Sequence, residues 1–198
     1  TPETLTAMEA RLPLAAALLP PEFEFDAIGY GCTSAATLIG AEGVAAGIHA
    51  AHPGVASTNP ISAAVEAFRA LDAQRIAVVT PYTADVTGPI AQHFTDASLH
   101  VVALGSFLES SDLVVARISE ESIAAGVRMV AGSADCDAVF VSCTSLRMMA
   151  AADALEREIG VPVVSSNMAL LWHLLRLAGV ADEVSDRGTL FSRQLVSS

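Results

Sequence analysis

Cys32 and Cys143 each open the tripeptide Cys-Thr-Ser. The match extends upstream: Asp26-Ala-Ile-Gly-Tyr-Gly-Cys32-Thr-Ser34 and Asp137-Ala-Val-Phe-Val-Ser-Cys143-Thr-Ser145 share five of nine positions, 111 residues apart. That offset is too long for a solenoid and suits two related halves. A thiol at a helix N-terminus meets free backbone N–H groups and the positive end of the helix dipole, so it is expected to titrate below the free value of about 8.5. The hydroxyls and amides of Thr33, Ser34, Thr144 and Ser145 suit a carboxylate or an enolate oxygen. Some of them must simply cap helices. Two such thiols facing across a cleft form a matched pair. One removes a proton or attacks carbon, and the other delivers a proton to the opposite face. This chemistry needs no metal and no cofactor. A disulfide-forming redox pair, or two small buried hydrophobes, are the competing readings. Cys136 reads as a buried residue of the latter kind. A cysteine hydrolase would want a His partner, and His173 sits in an apolar helical stretch.

The elements that must position these residues alternate along the chain. Asp26 to Gly31, Arg75 to Thr80, Leu99 to Leu104, Ala138 to Ser142 and Val161 to Val164 read as buried strands. Ser62 to Leu71, Ser119 to Ala131, Leu146 to Ile159 and Met168 to Ala178 read as helices, the second opening on an acidic first turn and the last ended by Gly179. Continuous apolar strands alternating with helices predict an α/β fold with parallel sheets covered on both faces. Ligands bind such sheets beyond the carboxyl ends of the strands. Both cysteines are therefore expected at strand ends, at helix N-termini, in ligand-binding positions.

Composition narrows the function. The chain has 198 residues, 53% of them hydrophobic, and a net charge of −12. One large or two small domains fit that length, with a core that needs no disulfide support. Disorder is excluded by the hydrophobicity. Nucleic acid and an anionic membrane are not expected as partners, because both require a basic patch. No apolar run of about 18 residues predicts a membrane span. Leu12 to Leu19 contains Pro13, stops at Pro20-Pro21 and lacks a basic lead-in, so it does not read as a signal peptide. Three cysteines without a C-x-x-C pair point to free thiols in a reducing cytoplasm. The five histidines show no metal-ligand spacing, and no metal is expected.

Several motifs carry a family resemblance: Tyr30-Gly-Cys32-Thr-Ser34, Thr80-Pro-Tyr82, Val141-Ser-Cys143-Thr-Ser-Leu-Arg147, and Gly160-Val-Pro-Val-Val-Ser-Ser-Asn167 with Trp172-His173. On these the chain, from about Thr1 to Gly188, resembles the aspartate/glutamate racemase superfamily. It is most similar to the branch of maleate cis–trans isomerases and arylmalonate decarboxylases. The run Gly31 to Gly40 looks most like the racemase-like proteins of ectoine-utilisation clusters.

The resemblance implies two flavodoxin-like lobes with parallel sheets related by a pseudo-twofold axis, and an active site in the cleft between them. Residues 1–75 with 165–198 would form the first lobe, carrying Cys32, and 76–164 the second, carrying Cys143. It implies Cys32 as nucleophile or base and Cys143 as the proton-handling partner, acting on a small carboxylate in a homo-oligomer without cofactor. Tyr82 would hydrogen-bond a substrate carboxylate. Asn59 reads as a helix cap rather than a ligand. One of Ser165, Ser166 and Asn167 must cap the last helix, and Asn167 is a candidate substrate contact.

Two departures from the family stand out. Nothing before Asp26 reads as the strand with which the family opens, and Thr1 to Leu19 reads as the helix that follows it. That first strand is expected to lie outside this chain. Where maleate isomerases place an Asn ahead of the second cysteine strand, the nearest residue is Asp112, which suits a substrate amine better than a second carboxylate. The readings carried forward are a maleate isomerase-like enzyme, a racemase-like enzyme of amino-acid-derived substrates, an arylmalonate-type decarboxylase needing one thiol, and a non-catalytic binding protein.

Overall fold

The computed structural model describes residues 1–196. The first elements are α1 (Pro2–Thr6), a 3₁₀ turn (Glu9–Arg11) and α2 (Leu12–Ala16). Thr1 to Leu19 is thus three short pieces rather than one helix. Proline accounts for part of this, since Pro13 has no N–H and clashes with the preceding turn anywhere but at a helix start.

Strand β1 (Ala27–Gly29) leads into α3 (Thr33–Ile39) and α4 (Ala41–His49), and β2 (Ala56–Thr58) leads into α5 (Pro60–Ala70). The two strands form a parallel pair in which Ala27 faces Ala56 and Gly29 faces Thr58. Asn59 caps α5 as expected, its side chain accepting the N–H groups of Ile61 and Ser62 at 3.2 and 3.0 Å. Strand β2 escaped the sequence reading because three residues between Gly54 and Pro60 carry no periodicity.

The larger sheet follows. It comprises β3 (Arg75–Tyr82), β4 (His100–Glu109), β5 (Ala138–Val141) and β6 (Val163–Ser165). Their order is β4-β3-β5-β6, and all pairings are parallel. The connections are α6 (Ala84–Asp96), α7 (Asp112–Val115), α8 (Glu120–Ser133) and α9 (Ala152–Ile159), with α10 (Ser166–Leu177) after β6. Five strands match the sequence reading in place and type. Ser119 caps α8 through the N–H of Ser122, and Ser165 caps α10 through that of Met168.

Two packing features hold the cysteine segments in place. Phe68, Phe94 and Phe140 from α5, α6 and β5 meet edge to face at centroid distances of 5.1–6.1 Å, joining the larger sheet to the helices beside it. Helix α10 packs on α5, β1, β2 and β6, so it touches both sheets. At Gly29 an added Cβ would meet Leu174 of α10 at 3.0 Å, and this close approach explains a glycine where the second copy of the repeat has Phe140. Among the described residues no helix is long and apolar enough to cross a membrane.

Candidate active site

Cys32 follows β1 and is the N-cap of α3, with extended backbone at φ −134°. Its Sγ lies 3.7 Å from the Ser34 hydroxyl. The expectation of a strand end and a helix N-terminus holds here. For Cys143 only the strand end holds. Its φ is 104°, the left-handed side of the map that side chains rarely occupy. The chain then runs through turns, and α9 begins only at Ala152, not at Leu146. Leu146 and Met148 are fully buried in this loop, so tertiary packing overrides the helical propensity of the segment. In place of a helix start, the N–H of Ser145 donates to the Cys143 Sγ at 3.4 Å.

Both thiols open onto one cavity of about 510 Å³, within the range of small-molecule sites. Thr33, Ser34, Thr144 and Ser145 line it beside them. Tyr82, at the carboxyl end of β3, also lines it and is only 8% exposed. Its backbone carbonyl accepts the hydroxyls of Thr87 and Ser106, which anchors the strand end. Burial first, and then the adjacent Cys143 thiol, push the Tyr82 phenol far above its usual range, while Ser34 pulls the other way. The phenol therefore stays protonated and can donate a hydrogen bond into the cavity. Tyr30, beside Cys32, is pushed up to about 12, mainly by burial. Its hydroxyl meets the Met8 sulfur at 3.7 Å.

Asp112, the first residue of α7, lines the cavity as well. Asn167 is not brought to it. The Asn167 amide donates to the Thr144 carbonyl at 2.9 Å, so this side chain braces the cysteine loop instead. A second brace is the Thr144 hydroxyl, which donates to the Gly31 carbonyl at 3.1 Å and joins the two copies of the repeat directly.

Two titratable groups stand apart from the cavity. Cys136 is buried, and burial raises its thiol pKa, with Asp137 and Asp135 adding to the effect. His173 is buried against β2, with Nδ1 2.8 Å from the Thr58 hydroxyl.

Sequence reasoning missed two acids on the cavity wall, Asp85 and Glu109. The Asp85 carboxyl is held below its usual range by the Thr83 hydroxyl at 2.5 Å. Glu109 accepts the N–H groups of Ser110 and Ser111 at 2.8 and 2.9 Å. Both acids lie at or just beyond the carboxyl ends of β3 and β4, so the strand-end rule could have found them. Thr4, Leu5 and Met8 also reach the cavity, and no local signal marks them.

A family model described as arylmalonate decarboxylase matches residues 40–191. The chain belongs to the arylmalonate decarboxylase family. It is 32% identical to an arylmalonate decarboxylase of Bordetella bronchiseptica over 127 residues, which is 64% of this chain and 53% of that protein. It is 30% identical to a maleate isomerase of Nocardia farcinica over 129 residues, 65% of this chain and 51% of that protein. The chain thus spans about half the length of the curated relatives it matches. In fold it is similar to a Nocardia farcinica maleate cis–trans isomerase solved with a covalently bound succinylcysteine intermediate. That match has a TM-score of 0.88 at 24% identity and covers 97% of this chain and 81% of the other. The α/β fold with parallel sheets that the resemblance implied is the one this family member adopts.

Proposed function

We propose that the protein is a cofactor-independent isomerase acting on a small carboxylate through Cys32 and Cys143, of the maleate cis–trans isomerase type. The observation that carries this reading is that both thiols of the repeat share one cavity with their own hydroxyls and the Tyr82 phenol. Similarity to maleate isomerases, and the succinylcysteine reported for one of them, supports it. In this reading the Cys32 thiolate adds to one alkene carbon of maleate, forming a C–S bond. The electron pair moves onto the neighbouring carboxylate as an enediolate, held by hydroxyl and amide donors. Cys143 delivers a proton to the other alkene carbon, the one that carries the enediolate, giving a succinyl-cysteine. The former double bond is now single and rotates. Cys143 then takes the proton back, the C–S bond breaks, and fumarate leaves with Cys32 restored as thiolate.

The acids of the cavity favour a second reading. Asp85, Glu109 and Asp112 line it, and no Lys, Arg or His does so among the described residues. A substrate carboxylate beside one of these acids would be repelled, and an ammonium group there would be attracted. An amino-acid-derived substrate, racemised by the same thiol pair, fits that wall better than a dianion.

The test is proton NMR of maleate incubated with the chain in deuterated buffer, beside a Cys32→Ala variant. Fumarate formed only with Cys32 intact is the expected result. Absence of fumarate overturns the maleate version, and amine-bearing carboxylates with Asp112→Asn as control become the next assay. An arylmalonate decarboxylated equally well by both proteins would instead mark a one-thiol lyase. A chain that turns over none of these and whose thiols alkylate slowly near pH 7, unprotected by any carboxylate, would be a binding protein.

A further inference from the structure

One buried hydroxyl is shared by both halves of the repeat, and neither the fold nor the proposed reaction accounts for it. Ser166 is the first residue of α10 and is fully buried. Its Oγ accepts the backbone N–H of Cys143 at 3.0 Å and the Thr33 hydroxyl at 2.8 Å. Helix α10 does not need this side chain as a cap, because Ser165 already fills that role. Thr33 is fully buried as well and directly follows Cys32. One oxygen therefore touches the residue beside the first thiol and the backbone of the second.

The Cys143 N–H has no partner in the sheet ladder, since the pairing of β5 ends before it. Its acceptor is instead the Ser166 hydroxyl, and the residue stands at φ 104°. A buried donor left without an acceptor is costly, so the Ser166 oxygen holds the residue in a conformation it would otherwise leave. Rotation of that backbone would swing the Cβ, and the thiol with it. The far end of the constraint is rigid, because α10 is packed on both sheets.

We propose that Ser166 is a positioning residue that fixes the two thiols relative to each other, by holding the strained Cys143 backbone and tying it to the Cys32 segment through Thr33. The proposal rests on the two-thiol reading only for its consequence in turnover. Its geometric content can be read without any substrate.

The experiment is site-resolved mass spectrometry of iodoacetamide alkylation at Cys32 and Cys143, as a function of pH. It compares the unsubstituted chain with Ser166→Ala, Ser166→Thr and Ser165→Ala. Cys143 is 5% exposed and is expected to react slowly in the unsubstituted chain. Ser166→Ala should speed it at least five-fold and displace its pH profile, and Ser166→Thr, which keeps the hydroxyl, should restore both. Ser165→Ala removes a helix cap whose side-chain hydrogen bond reaches neither thiol segment, and should leave the Cys143 rate within two-fold. Equal effects of the two alanine variants, or no restoration by threonine, would overturn the proposal. If Ser166→Ala fails to fold, Thr33→Val severs only the other arm. It should change the Cys32 rate at least two-fold and spare Cys143, and an unchanged Cys32 rate would refute the shared tether. Where the unsubstituted chain turns over maleate, Ser166→Ala should lower kcat at least ten-fold with KM within three-fold. Altered alkylation without any maleate turnover would retire the functional reading and leave the positioning role standing. Intact turnover with unaltered alkylation would do the reverse.

Discussion

Cys32 leaves β1 in extended conformation and caps a helix that starts at the next residue, whereas Cys143 leaves β5 at φ 104° and enters turns that become a helix only at Ala152. Upstream the contrast continues. Asp137 accepts the N–H groups of Gln74 and Arg75 at 2.9 and 2.7 Å and so fastens β5 to the start of β3. The matching Asp26 accepts no hydrogen bond from the described residues, and β1 has β2 as its one strand neighbour there, while β5 lies between β3 and β6. Phe140 joins an aromatic cluster where its counterpart, Gly29, makes room for α10. Two nine-residue segments alike at five positions thus produce a partly buried thiol held by its own helix and a buried thiol held by other elements. The repeat specifies which groups reach the cavity, and the neighbours specify how each is held.

Three experiments can break or sharpen this comparison. The largest expected effect is at Tyr82, whose phenol lies near both thiols. Tyr82→Phe should reduce turnover about 10²-fold, as loss of a single preorganised donor does, with little change in the urea midpoint. A loss below three-fold would mean that the shared phenol plays no part, and that the two thiols work in separate surroundings.

The second effect is on stability. At φ 104° any side chain is strained, so Cys143→Gly should be more stable than Cys143→Ala by about 1 kcal/mol. At Cys32 φ is −134°, so the backbone gives glycine no relief of strain, and only the mild N-cap preference for glycine over alanine remains, a smaller difference than at Cys143. Urea denaturation of the four variants measures both differences. An equal glycine advantage at both sites would show that the backbones are equivalent after all.

The smallest effect belongs to the β1–β2 side. Burial lowers the His173 pKa, with Glu66 opposing. The unfolded state then binds the proton more readily, so stability is complete above about pH 6.5 and declines as pH falls through the folded-state value. His173→Gln should lose less stability than the unsubstituted chain between pH 7 and pH 5. Thermal melts at the two pH values give the difference. Equal losses would place the acid sensitivity elsewhere.

Much of the fold was legible in local pattern. The five apolar strand segments and the caps at Asn59, Ser119 and Ser165 rest on interactions within a few residues, and the match of Asp26–Ser34 with Asp137–Ser145 is a direct reading of the residues. The same holds for the candidate site in part: the strand-end rule led to both thiols and their neighbouring hydroxyls, and the family resemblance to Tyr82 and Asp112, all of which line one cavity. Short or interrupted pieces were not legible. Strand β2 has three residues, and the loop after Cys143 has a helical composition that packing overrides.

By itself the sequence determined which side chains stand at the carboxyl ends of the strands, because hydrophobic runs and turn residues act on their own neighbourhood. Only the tertiary structure decided the φ of Cys143, the use of Asn167 as a brace, the gathering of Asp85, Glu109 and Asp112 around one cavity, and the shared Ser166 hydroxyl. The bonds from Thr144 to Gly31 and from Thr33 to Ser166 close over 113 and 133 residues. No local preference encodes such a contact. It forms when buried apolar faces bring the two halves together and every polar group trapped between them must find a partner.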